Sequence, residues 1–172
     1  TMTGSILYNV FNNSKWPDVG YYYQFHGKLL IHPWYRDVFF VGKDSVLWKS
    51  NNSGQSYTAF ANFGTGNTVW RFDMARSNIN VMYVLTQFGI YKTTDHGTTW
   101  TQLILPAVYQ YYNADVVVNP ADANEVYICM ANGAANAKVF KSTDGGQSWI
   151  NYTGTMLNGK YIYALNFQGG TN

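Results

Sequence analysis

The sequence predicts an all-β fold of about three repeated four-stranded antiparallel units, with partial units at both ends. Three observations predict it. Aromatic residues reach 18%, with 15 Tyr, 6 Trp and 16 Gly, while charged residues are only 12%. That balance suits half-buried pleated strands punctuated by turns. A nine-residue pattern also recurs. Lys141-Ser142-Thr143-Asp144-Gly145-Gly146-Gln147-Ser148-Trp149 is matched in register by Lys92-Thr93-Thr94-Asp95-His96-Gly97-Thr98-Thr99-Trp100. A worn copy, Lys49-Ser50-Asn51-Asn52-Ser53-Gly54-Gln55-Ser56-Tyr57, has Asn for Asp and Tyr for Trp. Finally, short apolar runs surround each copy at similar offsets: Trp48, Tyr91 and Phe140 precede the Lys, spaced by 43 and 49 residues.

In chain order, residues 1–26 read as the end of a preceding unit or a connector. Ser5 to Phe11 alternates weakly, Asn12 to Asp18 is turn-like, and Tyr21-Tyr22-Tyr23-Gln24-Phe25 is aromatic without clear period. The first whole unit is 27–62, with strands at Lys28 to Ile31, Val38 to Val41, Val46 to Lys49 and Tyr57 to Asn62. The second is 66–105, with strands at Val69 to Met74, Val81 to Val84, Gly89 to Lys92 and Trp100 to Leu105. The third is 112–153, with strands at Ala114 to Val118, Val126 to Met130, Lys138 to Lys141 and Trp149 to Thr153. Residues 160–172 begin a further unit with a strand at Tyr161 to Leu165. Pro33 and Pro120 follow a first strand at the same offset, and the extra length of the third unit falls in two loops, as blade-like repeats allow.

Each recurring pattern is explained by a tight hairpin. The carboxylate or amide of Asp95, Asp144 or Asn52 accepts downstream backbone N–H groups in an Asx-type turn. The hydroxyls of Ser50, Thr93 and Ser142 tie off another backbone group. Gly54, Gly97 and Gly146 supply a position expected at positive φ. Tyr57, Trp100 and Trp149 start the returning strand and bury a ring. A catalytic reading of Asp95 or Asp144 competes with this purely structural one.

The pattern Ser/Thr-x-Asp-x-Gly-x-x-aromatic resembles the Asp-box, or BNR, repeat of sialidase-like, sortilin-like and xyloglucanase-like β-propellers. The resemblance covers residues 27–153 well and 154–168 in part. A propeller also follows from the units themselves, since a four-stranded meander cannot bury both faces alone and radial packing solves this. Three units leave two apolar faces open. The expected partners are therefore the remaining blades of the same ring, from sequence not present here or from other chains. A stand-alone β-sandwich is the alternative. Thr1-Met2-Thr3 does not resemble a natural start, which suggests a piece of something longer.

Eleven basic and nine acidic side chains give a charge of +2 without a basic cluster, which argues against nucleic acid as a partner. No apolar run approaches the length of a membrane span and no signal peptide is evident. Cys129 lies alone in an apolar strand, and His26, His32 and His96 are scattered, so no disulfide framework, metal site or cofactor is expected. Three glycosylation sequons are no more than chance gives in so Asn- and Ser/Thr-rich a chain. Low charge with abundant Asn, Gly, Thr and Tyr resembles secreted or cell-surface bacterial propellers.

In such a blade the hairpins of the recurring pattern share one side with the turns between first and second strands. The resemblance implies that ligands meet the opposite side. Its loops are Gly42-Lys43-Asp44, Thr86-Gln87-Phe88 and Ala131 to Ala137, and the crossings Asn62 to Val69, Leu105 to Asn113 and Gly154 to Lys160. Tyr109, Tyr111, Tyr112 and Tyr22 are candidate ligand-stacking rings, since a sugar's apolar face stacks on aromatics; inter-blade core is the competing reading. Asp73 and Asp115 are the best-placed candidate catalytic pair, in or beside first strands near the axis, where a glycosidase would hold two carboxylates. An ordinary salt bridge between Asp73 and Arg71 competes with that role. Arg36, Arg71 and Arg76 do not occupy equivalent places, unlike the three arginines a sialidase-like site needs. The expected function is a glycan- or protein-binding scaffold segment of a larger secreted or cell-surface protein. The reading leans away from an enzyme for this segment and leaves that open, with glycoside hydrolase the class if it is one. The alternative is one wall of a xyloglucanase-like glycoside hydrolase cleft.

Overall fold

The computed structural model describes residues 28–106, 113–130 and 137–167. These residues form three four-stranded antiparallel sheets, each with its strands in chain order. Blade 1 holds β1 (Leu29–Ile31), β2 (Phe39–Lys43), β3 (Val46–Ser50) and β4 (Thr58–Asn62). Blade 2 holds β5 (Val69–Met74), β6 (Met82–Thr86), β7 (Gly89–Thr93) and β8 (Thr101–Leu103). Blade 3 holds β9 (Asn113–Asn119), β10 (Asp122–Met130), β11 (Val139–Ser142) and β12 (Ile150–Asn151). β10 starts earlier than the apolar run beginning at Val126, because Asp122 pairs with Asn119 across a register shift.

The blades pack face to face, and the period of two explains how. In β6 every residue is buried, yet its two faces serve different seams. Met82 and Val84 join Phe40, Leu47, Val69 and Phe72 between blades 1 and 2. Tyr83 and Leu85 join Val116, Val118, Val126 and Ile128 between blades 2 and 3. The first seam is tight enough that a side chain at Gly42 would come within 2.8 Å of Val69. Burial declines outward, and β4, β8 and β12 carry mostly exposed or half-buried residues. Along the inner edge, β5 lies beside β9.

The strand expected at Tyr161 to Leu165 is not formed. The stretch follows a short 3-10 turn at Thr155–Leu157, and residues 160–167 have no partner strand among the described residues. It still packs as an innermost strand would. Leu157, Ile162 and Leu165 cover Cys129 and Val139 of blade 3, while Tyr161 and Tyr163 face outward. Lys138, fully buried, fixes this crossing by donating from Nζ to the carbonyls of Leu157 (2.5 Å) and Lys160 (2.6 Å).

Candidate functional site

Two opposite sides of the blades are built by different hydrogen bonds, and together they locate the candidate residues. On one side, each hairpin between the third and fourth strands is tied to the turn between the first and second. Ser53 N–H donates to Asp37 O (2.9 Å), His96 to Asn80 O (3.1 Å) and Gly145 to Asn124 O (2.9 Å).

Within each hairpin the same network repeats. The amides of Gly54, Gly97 and Gly146 donate to the hydroxyls of Ser50, Thr93 and Ser142 at 2.9, 2.9 and 2.8 Å. Those hydroxyls donate in turn to Asn52, Asp95 and Asp144 at 2.9, 2.7 and 2.7 Å. The Oδ1 atoms of the latter three accept the amides of Ser56, Thr99 and Ser148, each at 2.9 Å. One difference follows from chemistry. Asp95 and Asp144 accept the hydroxyls of Thr99 and Ser148, whereas the Asn52 amide donates to Ser56 Oγ at 2.8 Å. The three glycines have φ of 83°, 86° and 89°. Trp100 donates to Gly97 O and Trp149 to Ile104 O. Bonds from Thr99 and Thr93 hold the Asp95 carboxyl down at about 2, and those from Ser148 and Ser142 hold Asp144 below the ordinary range. Both acids are thus anionic and occupied as turn acceptors.

On the other side, the crossing between blades 1 and 2 is bound to the second-to-third-strand loops. Val69 N–H donates to Asp44 O (2.6 Å), and Gln87 N–H donates to Thr68 O (2.8 Å). Buried Asn67 centres this link. It donates to Phe63 O (3.1 Å) and Tyr91 Oη (3.2 Å), and accepts the Phe88 amide (3.0 Å). The Phe88 ring is left 54% exposed on the loop. Asn67 had no signal in the sequence beyond being polar, because two of its three partners, Phe88 and Tyr91, lie more than twenty residues away.

Along the inner strands, charges couple neighbouring blades. Lys28 lies 3.8 Å from Asp73, and Arg71 lies 4.0 Å from Asp115. The pairing differs from the one expected between Arg71 and Asp73: each carboxylate finds its cation on the preceding blade. Asp73 also accepts the Val118 amide of blade 3 at 2.9 Å. Asp115, 5% exposed, accepts the amides of Val116 (2.9 Å) and Leu165 (3.0 Å). Burial raises the Asp73 pKa, the Asp115 charge adds to this, and Lys28 and the amides of Val118 and Met74 oppose it. The structure therefore brings Asp73 and Asp115 within electrostatic reach, each with a cation and backbone donors. Cys129 is fully buried, and burial pushes its thiol up to about 12, with Asp115 adding.

The proposed stacking rings Tyr22, Tyr109, Tyr111 and Tyr112 lie outside the described residues, as do the loop residues 131–136. Among the described residues no group of three or more His, Cys, Asp or Glu could hold a metal ion. No helix is long and apolar enough to cross a membrane, again among the described residues.

Comparison with known proteins agrees with the three-sheet architecture. A curated xyloglucanase from Hypocrea jecorina (strain QM6a) is 28% identical over 118 residues. That match takes in 69% of this chain but only 14% of the relative. The structure of the Niastella koreensis GH74 enzyme superposes with a TM-score of 0.56 at 21% identity, covering 72% of this chain and 22% of that one. The structure of YCF48 bound to D1 peptide superposes with a TM-score of 0.53 at 13% identity, covering 78% of this chain and 45% of that one. The likeness to these structures is one of fold, an all-β propeller segment. The family model described as "Sortilin, neurotensin receptor 3" matches residues 45–164, and the chain belongs to this Sortilin-Vps10 family.

Proposed function

We propose that this chain is a binding and scaffold segment of a secreted or cell-surface propeller, whose ligand is a polysaccharide or a protein. The blades are read as residues 27–62, 66–105 and 112–153, with 1–26 ending a preceding blade and 160–172 starting the next. The remaining blades of the ring are the obligatory partners. The three hairpins are read as Asp boxes that set blade register and take no part in chemistry. The observation that carries this reading is the use made of Asp73 and Asp115. Each accepts an amide from the neighbouring segment and sits beside a cation, so these acids are engaged in joining blades. A glycosidase needs two carboxyl groups free to meet a scissile bond.

The second reading is one wall of a glycoside hydrolase cleft, favoured by the raised pKa of Asp73 next to Asp115 and by the 28% identity to a xyloglucanase. The two separate in one experiment. The complete protein is screened on a glycan array and assayed for release of oligosaccharides from xyloglucan. Binding without hydrolysis is the expected result. Hydrolysis abolished by Asp73→Asn or Asp115→Asn would establish the second reading, and absence of both binding and hydrolysis would leave the protein-ligand form of the first.

A further inference from the structure

The turn side of the blade 1–blade 2 seam contains a histidine pair that hairpin geometry does not require. His32 is 3% exposed. Its Nδ1 accepts two backbone amides, from Trp34 at 3.1 Å and Tyr35 at 3.2 Å, and these bonds close the turn after β1. An Nδ1 that accepts carries no proton, so Nε2 carries it, and Nε2 is buried without a hydrogen-bond partner. The His32 ring stacks on Phe40 and lies 6.1 Å, centroid to centroid, from His96 in the blade 2 hairpin.

The groups around this imidazole are arranged against a positive charge. Lys49 of β3 stands over the Phe40 and Phe60 rings, and His96 approaches from blade 2. Asp95, beside His96, is engaged by Thr93 and Thr99. On His32's own turn, Tyr35 packs at 4.7 Å, exposed Arg36 follows, and Asp37 is bonded to Ser53 Oγ. No carboxylate lies within ion-pair distance of His32 among the described residues.

The other blades supply an internal comparison, beginning with the same turn of blade 3. Asn119 precedes Pro120 as His32 precedes Pro33, and its Oδ1 accepts the Ala121 amide at 2.9 Å. In the hairpin, Gly145 takes the place of His96. At the blade 2–blade 3 seam the position of His32 is held by buried Ala75, whose amide donates to Val81 O as that of His32 does to Val38 O, and the position of His96 by Gly145, so the histidine pair has no counterpart there.

We propose that the blade 1–blade 2 seam is an acid-sensitive joint: protonation of His32 at Nδ1 expels the Trp34 and Tyr35 amides and sets a cation against His96 and Lys49. Blade 1 then loosens from blade 2 while the blade 2–blade 3 seam holds. Burial is the main cause holding His32 below its ordinary value of 6.5, with His96 and Lys49 adding to it. The sign follows. The folded state prefers neutral His32, so its contribution is complete above 6.5 and is lost as pH falls towards the lowered folded value.

Amide hydrogen exchange on the full chain at about pH 7 and pH 5, corrected for intrinsic rates, tests this joint by joint. Protection at Trp34 and Tyr35 is expected to drop at the lower pH, by at most about tenfold per unit, while Ala75 and Gly145, whose amides bond backbone carbonyls, keep theirs. His32→Asn, which copies the Asn119 arrangement, should retain protection at Trp34. If His32→Asn does not fold, His96→Gly, which copies Gly145, should reduce the loss, and an NMR titration of His32 in the native chain should report a depressed pKa. Protection unchanged in the native chain, or lost equally at both seams, would overturn the proposal.

Discussion

At the scale of single residues, the hairpins show how far a turn depends on one missing side chain. Gly97 has φ of 86°, and a Cβ there would fall 2.2 Å from Cζ of Phe60, in the seam between blades 1 and 2. Gly64 has φ of 94°, but a Cβ there would meet nothing within 4 Å. Gly64→Ala should therefore cost only the left-handed backbone penalty, about 1–2 kcal/mol. Gly97→Ala adds displacement of a packed ring, and about 2–5 kcal/mol is expected in all. Urea denaturation of the two variants checks the order, and equal losses would mean that the Phe60 contact does not constrain the hairpin. The worn first copy makes a related point. Asn52 holds the same two bonds as Asp95 and Asp144, so a turn acceptor is needed there and a negative charge is not.

At the scale of elements, what matters is which strand supplies each partner. Asp73 accepts the Val118 amide from blade 3 and faces Lys28 from blade 1, so one side chain on β5 ties both neighbours. Asp73→Ala would leave that amide unpaired and should destabilise the chain by about 1–3 kcal/mol. Asp73→Asn keeps an acceptor and removes the charge, so thermal melting should place it nearer the native chain; if Asn is as costly as Ala, the ion pair outweighs the amide bond. The same strand shows what was legible beforehand. Val69 to Met74 was readable to the residue, because its apolar positions and flanking turns are local signals. Arg71 and Asp73 also sit two apart on one strand face, which made them look like partners. Their cross-blade pairing depends on how far β1, β5 and β9 are shifted along one another, and no local pattern encodes that shift. Lys138 was read as the start of a strand, but its buried ammonium acts through carbonyls about 20 residues downstream in a loop of no distinct composition. For the candidate site, Asp73 and Asp115 could be picked out as inner-strand acids. Their engagement by backbone amides could not, since Val118 and Leu165 belong to other segments.

At the scale of the molecule, the blades form a linear stack in which each sheet touches only its neighbours, so stability should be distributed as nearest-neighbour terms. Blade 2 alone among the three has a described blade on each face, and β6 contributes residues to both seams. Tyr83 adds a polar tie, donating from its hydroxyl to Ala123 O at 2.9 Å, and Lys92 Nζ reaches Gly145 O at 3.1 Å. Opening blade 2 must therefore break two interfaces, whereas releasing β12, both of whose residues are exposed, breaks little beyond one ladder. Native-state hydrogen exchange should accordingly find its slowest amides at Tyr83, Val84 and Leu85, and its fastest strand amides in β12. Blade 3 is the informative case. Its outer face is covered by the 155–167 segment through Leu157, Ile162 and Leu165, held by Lys138. If that segment substitutes for a neighbouring blade, β10 should approach β6 in protection. Lys138→Met would then lower β10 while leaving β6 unchanged. Uniform protection across all three blades would show instead that the array opens as one cooperative body, with the seams stronger than the sheets they join.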